Sequence, residues 1–339
     1  MSESFLASNL FDIKGIVAVV TGGGSGKSYT CEVFDSHTLT DSAGLGLFIT
    51  RALAVNGAKR VFILGRRKKL LEDAARDIVC SLVSRPTTTN DLQGLDNVIP
   101  VQCDITNQQA LKNAVTFIEN EVGYIDLLVA NSGIAGPAGS VGPNASISQV
   151  QETLYNIPME EFTNTFHVNS TGVFYTIIAF LSLLDAGNKD TTYQNARSQV
   201  ITTSSIGGFN RKITAGFGYT ASKAATTMMM KVLATYLVPY RIRANIICPG
   251  CKTGQLPNPE IKTDSSLVFP TDLTASLIDD KKPTEEGAFP LEQIPAERAG
   301  LPEDIAGPLL YLASRAGAYC NGNCVITDGG KLSVTPATY

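Results

Sequence analysis

The run Ile16-Val-Ala-Val-Val20 is apolar at every position and rich in β-branched residues. It offers no polar face to water, so it reads as a strand buried on both sides, the condition of an inner strand in an α/β sheet. Thr21-Gly-Gly-Gly-Ser-Gly26 follows directly. Glycines after a first strand let the backbone approach a phosphate, with the amides and positive dipole of the next helix behind it. Further strands are expected at Arg60–Leu64, Asn97–Ile105, Tyr124–Ala130, Gln199–Thr203, Arg241–Cys248 and Asn321–Asp328. Helices are expected at Leu47–Gly57, Leu70–Val83 and Met159–Asn169, with another beginning near Ala296, while Gly136–Ser148, rich in Gly, Pro, Ser and Ala, reads as a loop.

The chemistry concentrates near Gln199-Val-Ile-Thr-Thr-Ser204-Ser205 and Tyr219-Thr-Ala-Ser-Lys223. A tyrosine and a lysine four apart lie on one helical face, about a turn from each other. An ammonium that close to a phenol favours the phenolate, lowering a pKa ordinarily about 10 towards working pH. Tyr219 can then act as general acid and base on a carbonyl/alcohol pair, with a serine hydroxyl from the preceding strand on the substrate oxygen. Alone, Tyr-x-x-x-Lys is most often solvated helix surface. Here it follows an apolar strand ending in Ser-Ser and a glycine-rich loop.

In that setting the chain resembles the short-chain dehydrogenase/reductase family, whose members carry a Ser, Tyr and Lys in this arrangement. The step from Ser205 to Tyr219 is one residue longer than the resemblance implies, an excess that a loop absorbs; Ser205 rather than Ser204 is taken as the inward hydroxyl. The resemblance implies a doubly wound α/β fold, a Rossmann-type single domain over residues 10–335. It also implies hydride transfer between NADP(H) and a small-molecule ketone or alcohol, with Asn169, Ser205, Tyr219 and Lys223 as catalytic residues. The flavour of Ser-Ile-Gly-Gly-Phe-Asn and Ala-Glu-Arg-Ala-Gly is similar to 3-oxoacyl-[acyl-carrier-protein] reductases. The cofactor would be held by Gly22, Ser25, Gly26, Leu45 and Gly46 in the first loop, and by Asp104 and Ile105 at the adenine. Asn131 and Gly133 would line its ribose side, with Tyr219 and Lys223 beyond them. Pro249, Gly250 and Thr271 would sit beside the nicotinamide.

Selection of NADP(H) rests on Arg66. An acidic residue after the second strand would bind ribose hydroxyls; instead Gly65 is followed by Arg66 and Arg67, which suit a 2′-phosphate. Each assignment has a plainer alternative. Arg66 to Lys69 could be a solvated helix start, Asp104 a cap for a helix from Thr106 onward, and Asn169 a helix-kink asparagine. His167 reads as packing or surface.

Two stretches break family-like motifs. As written, the first loop runs Thr-Gly-Gly-Gly-Ser-Gly-Lys-Ser, close to the P-loop Gly-x-x-x-x-Gly-Lys-Ser. Thr21 stands where that pattern needs glycine, and no later strand ends in a clear metal-binding Asp, so a nucleotide triphosphatase is a distant alternative. Excising Lys27–Gly44 joins Gly26 to Leu45-Gly46 and restores Thr-Gly-x-x-x-Gly-x-Gly. Excising Cys251–Val268 likewise brings Pro249-Gly250 to the family's spacing from Thr271. Gly-Lys-Ser and Cys-Lys can both be encoded around GTAAG, and the far ends around an AG acceptor. Two readings stand: translated, unspliced introns, which the paired coincidence favours, or genuine surface insertions, which cost little loop entropy. If the first insert blocks cofactor binding, the chain is instead a non-catalytic scaffold.

Composition sets outer bounds. The chain has 339 residues, 44% hydrophobic and 17% charged, with net charge −4. A mildly acidic balance speaks against nucleic acid or an anionic membrane as partner. No apolar run reaches the roughly 18 residues that span a bilayer. The N-terminus lacks the basic and apolar regions of a signal peptide. Seven cysteines without a Cys-x-x-Cys pair and only two histidines give no expected metal site, and read as reduced thiols in a cytoplasmic protein. The resemblance to the short-chain dehydrogenase/reductase family further implies a homodimer or homotetramer with the last strand as a contact, while Met228–Met230 and Leu233–Val238 of the Tyr219 helix read as core or as a dimer face.

Overall fold

The computed structural model of the chain describes residues 5–24, 44–83, 97–139, 141–142, 144–190, 193, 196–213, 215–250 and 285–339. β1 (Val17–Thr21) is buried along its whole length, as its composition requires. It pairs in parallel with β2 (Arg60–Gly65) on one side and β4 (Leu127–Ala130) on the other. β3 (Val98–Gln102), β5 (Gln199–Thr203), β6 (Arg243–Pro249) and β7 (Cys324–Thr327) complete a parallel seven-stranded sheet in the order β3-β2-β1-β4-β5-β6-β7. The order reverses between β1 and β4, which is the place where doubly wound sheets bind ligands, beyond the carboxyl ends of the strands.

Helices cover both faces. In chain order they are α1 (Ala7–Leu10), α2 (Leu45–Val55), α3 (Lys68–Val83), α4 (Gln108–Val122), α5 (Ile147–Tyr155), α6 (Met159–Phe166), α7 (Val173–Ala179), α8 (Leu181–Lys189), α9 (Phe217–Tyr236), α10 (Pro302–Ala313) and α11 (Lys331–Val334). The period-2 side-chain alternation of a strand divides the core in two. Ala18, Val20, Val61 and Ile63 pack with Ile49 and Leu53 of α2 and with Ile305, Leu309 and Leu312 of α10. Val17, Val19, Phe62 and Leu64 pack with Leu111 and Ile118 of α4, Ile177 of α7, Leu184 of α8 and Leu233 of α9. Full burial of such side chains contributes about 1.5–3 kcal/mol each, so the β1–β2 pair anchors both layers.

Three expectations about elements change. The single helix expected over Met159–Asn169 is broken: α6 ends at Phe166, and a π-type turn, His167–Gly172, precedes α7. Wide turns of this kind recur at functional sites, and this one carries Asn169 inward, fully buried. The loop expected across Gly136–Ser148 ends in α5, whose start is a reciprocal cap between Ser146 and Gln149. The helix expected from Ala296 begins only at Pro302, where the Asp304 carboxylate accepts the Leu301 amide at 2.7 Å. Among the described residues no single helix is long and apolar enough to cross a membrane.

Candidate active site

At the carboxyl ends of the strands lies a cavity of about 520 Å³, within the usual range for small-molecule sites. Its floor begins where β1 ends. Gly22 turns with φ +71°, a left-handed conformation that favours glycine. Gly46, at the start of α2, packs onto it so closely that a Cβ there would run into the Gly22 carbonyl and the Asn131 carboxamide. Gly24, Gly44 and Leu45 line the same cavity, so both described ends of the interrupted loop reach it. Ser25, Gly26 and the insert from Lys27 onward to residue 43 lie outside the described residues, as do Thr271 and the insert Cys251–Val268.

β4 is tied to β1 at the cavity edge. Thr21 Oγ1 accepts the amides of Asn131 and Ser132, each at 3.0 Å, and the Asn131 carboxamide donates to the Thr21 carbonyl at 3.1 Å. Asn131 and Gly133 both line the cavity. At the end of β2, Arg66 and Arg67 line it as well; α3 starts only at Lys68, so the two arginines precede the helix, and Lys68 and Lys69 form its first turn. Asp104 and Ile105, just beyond β3, complete that end. Burial pushes the Asp104 carboxyl up, but the Thr106 hydroxyl and amide, with Arg66 and His167, outweigh it and hold the group below the usual carboxylate range. Asp104 accepts from the Thr106 amide at 2.9 Å and hydroxyl at 2.7 Å. The capping role belongs instead to Asn107, whose side chain accepts the Ala110 amide at 2.9 Å.

The other end of the cavity is built by β5 and α9. Ser204 and Ser205 point different ways. Ser204 Oγ donates to the Lys223 carbonyl at 3.0 Å and pairs with Thr227 Oγ1 at 2.7 Å, so it is committed to α9. Ser205 Oγ accepts the Gly207 amide at 3.0 Å. A Cβ on Gly207 would stand 3.3 Å from Ser205 Oγ and 3.2 Å from Tyr219 Cε1. The serine hydroxyl and the phenol ring therefore flank one small residue. Lys223 Nζ donates to the Thr203 carbonyl at 3.0 Å and lies 5.8 Å from the Tyr219 ring centroid. A Cβ on Gly133 would lie 3.3 Å from Lys223 Nζ and 3.1 Å from Asn169 Oδ1. Ser205, Tyr219 and Lys223 all line the cavity, and all are buried.

Asn169 does not line the cavity. Its Oδ1 accepts the Ile134 amide at 2.8 Å, while its Nδ2 donates to the Ile134 carbonyl at 2.9 Å and to Ser222 Oγ at 3.0 Å. It fixes the loop after β4 against α9. Pro249 lines the cavity, and the Gly250 amide is held by the Thr327 carbonyl at 2.8 Å. Sequence reasoning missed Asn164 and Val168, which line the wall. Their spacing of four, ahead of Asn169, was the available signal, since it puts both on one helical face. His167 is exposed, and Cys103, Cys248, Cys320 and Cys324 are free thiols.

The short-chain dehydrogenase family matches residues 39–260. Short-chain dehydrogenase/reductase PhomF of Diaporthe leptostromiformis is 39% identical, covering 100% of this chain and 99% of that protein. The rhamnolipids biosynthesis 3-oxoacyl-[acyl-carrier-protein] reductase of Pseudomonas aeruginosa is 26% identical, over 94% of this chain and 97% of its own. Among solved structures, the RhlG/NADP active-site complex of Pseudomonas aeruginosa superposes with a TM-score of 0.67 at 24% identity, covering 94% of this chain and 97% of that one; at that identity the likeness bears on the fold alone.

Proposed function

The chain belongs to the short-chain dehydrogenase family, and from that premise we propose that it is an NADP(H)-dependent reductase of a small ketone, or, run in reverse, a dehydrogenase of the corresponding alcohol. The observation that carries the reading is the placement of Ser205 Oγ and the Tyr219 ring on either side of Gly207, with Lys223 behind them at one cavity. The cavity residues fit a dinucleotide: a glycine turn at one strand end, Asp104 at the next, and two arginines where a 2′-phosphate would lie. Bound there, the nicotinamide supplies or takes up the hydride. Tyr219 gives its phenolic proton to the substrate oxygen, and Ser205 Oγ donates a hydrogen bond to the same oxygen. Lys223, whose ammonium lies 5.8 Å from the Tyr219 ring centroid, favours the phenolate and would hold the cofactor's ribose. Asn169 holds Ile134 and Ser222 in place, and so acts by positioning.

The working protein in this reading is a cytoplasmic homodimer or homotetramer. Met228, Val232 and Tyr236 form an exposed apolar stripe along α9, and Tyr175 and Ile178 of α7 are exposed too, a pattern that suits a subunit contact. Sedimentation at micromolar concentration reads the assembly, and a monomer there would contradict it.

Tyr219→Phe tests the chemistry. Loss of the general acid should lower kcat roughly 10²–10⁴-fold while NADPH affinity stays within about twofold. A variant retaining most of its turnover would remove Tyr219 from the mechanism.

A further inference from the structure

The segment after α11 turns back over the loop that carries Ser205. The Arg211 amide donates to the Pro336 carbonyl at 2.9 Å, and the Thr338 amide donates to the Phe209 carbonyl at 2.8 Å. The Thr338 hydroxyl reaches that same carbonyl at 3.1 Å. Asn210 faces Ala337 in an antiparallel bridge. The ring of Tyr339 meets that of Phe209 edge to face, with centroids 5.2 Å apart and planes at 70°. At its root the segment is fixed by Asp328, whose carboxylate accepts the Gly330 amide at 2.9 Å and the Leu332 amide at 2.7 Å.

What the segment grips lies one tight turn from the catalytic hydroxyl. The Gly208 amide donates to the Ser205 carbonyl at 3.1 Å, and the Phe209 and Asn210 amides donate to Ile206 at 2.9 and 3.0 Å. Three such bonds make Ser205 to Asn210 one hydrogen-bonded turn. Its other side is pressed on α9, since a Cβ on Gly208 would stand 2.9 Å from the Ala224 amide nitrogen. The turn that sets the distance between Ser205 and Tyr219 is thus held between the catalytic helix and the 335–339 segment.

We propose that Thr335–Tyr339 is a strap that fixes the Ser205 turn against α9, and that Tyr339, acting through Phe209, is a positioning residue for proton transfer at Ser205 and Tyr219. The catalytic half of this proposal rests on the reductase reading above; the strap itself does not.

Two measurements on the full chain separate the halves. Thr338→Pro removes the amide donor to Phe209, Tyr339→Ala removes the ring, and Tyr339→Phe keeps it. Amide hydrogen exchange across Phe209–Arg211 should rise about tenfold in Thr338→Pro and Tyr339→Ala, and remain at the wild-type rate in Tyr339→Phe. Exchange along β5 should not change in any of them. With ethyl 3-oxobutanoate as the probe ketone, kcat should fall about tenfold in the first two variants, with KM for NADPH unchanged and Tyr339→Phe retaining the wild-type rate. Exchange that is the same in all four proteins would overturn the strap. Faster exchange with an unchanged kcat would overturn the positioning role. If the wild-type chain reduces neither this ketone nor any other, the reductase reading fails, and the exchange arm alone decides the strap.

Discussion

Arg66 and Arg67 leave the end of β2 side by side and both reach the cavity wall, so the choice between the two dinucleotides is a question about one or two side chains. Arg66→Ser removes one guanidinium without touching the glycine turn or Asp104. A charge-assisted contact to a phosphate is worth about 1.5–3 kcal/mol, so Kd for NADPH should rise roughly 10–100-fold and Kd for NADH should change little. Fluorescence titration with both dinucleotides checks this; equal losses for the two would mean that Arg66 does not read the 2′-phosphate. At this scale the sequence was informative where chemistry is local. Tyr219 and Lys223 sit four apart on one helix, and their grouping follows from helical geometry alone. The preference for Ser205 over Ser204 gains its physical reason only in three dimensions, because the hydroxyl of Ser204 is claimed by Lys223 and Thr227, residues far along the chain.

Asp126 stands just ahead of β4, at the end of the sheet away from the cavity, and its carboxylate accepts the Val17 amide at 2.8 Å. Burial raises its pKa to about 7; the Val17 amide opposes the rise, Asp190 adds to it, and Lys59 opposes it. The folded-state value lies above the ordinary carboxylate value of about 3.9. The protonated form is therefore the one that folding favours: its contribution is complete below about pH 4 and is lost as pH rises through about 7. The melting temperature should fall between pH 5 and pH 8, and Asp126→Asn, which keeps an acceptor for Val17, should flatten that slope. A slope unchanged by the substitution would place its origin elsewhere. Among elements, the buried inner strands were the most legible, because apolar β-branched runs such as Ile16–Val20 have few other fates. The π-type turn at His167–Gly172 was not, since it depends on where Asn169 finds Ile134 and Ser222. The Ser146–Gln149 cap was present in the sequence as a readable signal for α5, but was subsumed in a loop rich in glycine and proline. The pairing of Asn210 with Ala337 joins residues from distant parts of the chain and leaves no periodic trace in either segment.

For the whole molecule, the family and the fold rest on several strands and motifs that agree, and PhomF aligns with all of this chain. What the sequence left open is whether a chain interrupted between Gly26 and Leu45 holds a dinucleotide. Gly24 and Gly44 both line the cavity, and Gly46 rests on Gly22, so the two described ends of the turn come together at the cavity. The most direct measurement is a thermal melt of the full chain with and without NADPH. Ligand at about 100 times its Kd adds about 2.7 kcal/mol of stability, which for a chain of this size is a rise of roughly 3–6 °C. A saturable rise of that order with NADPH, and none with ATP, is the expected result. A normal melting transition that NADPH does not move would contradict the cofactor site and leave the folded chain as a scaffold.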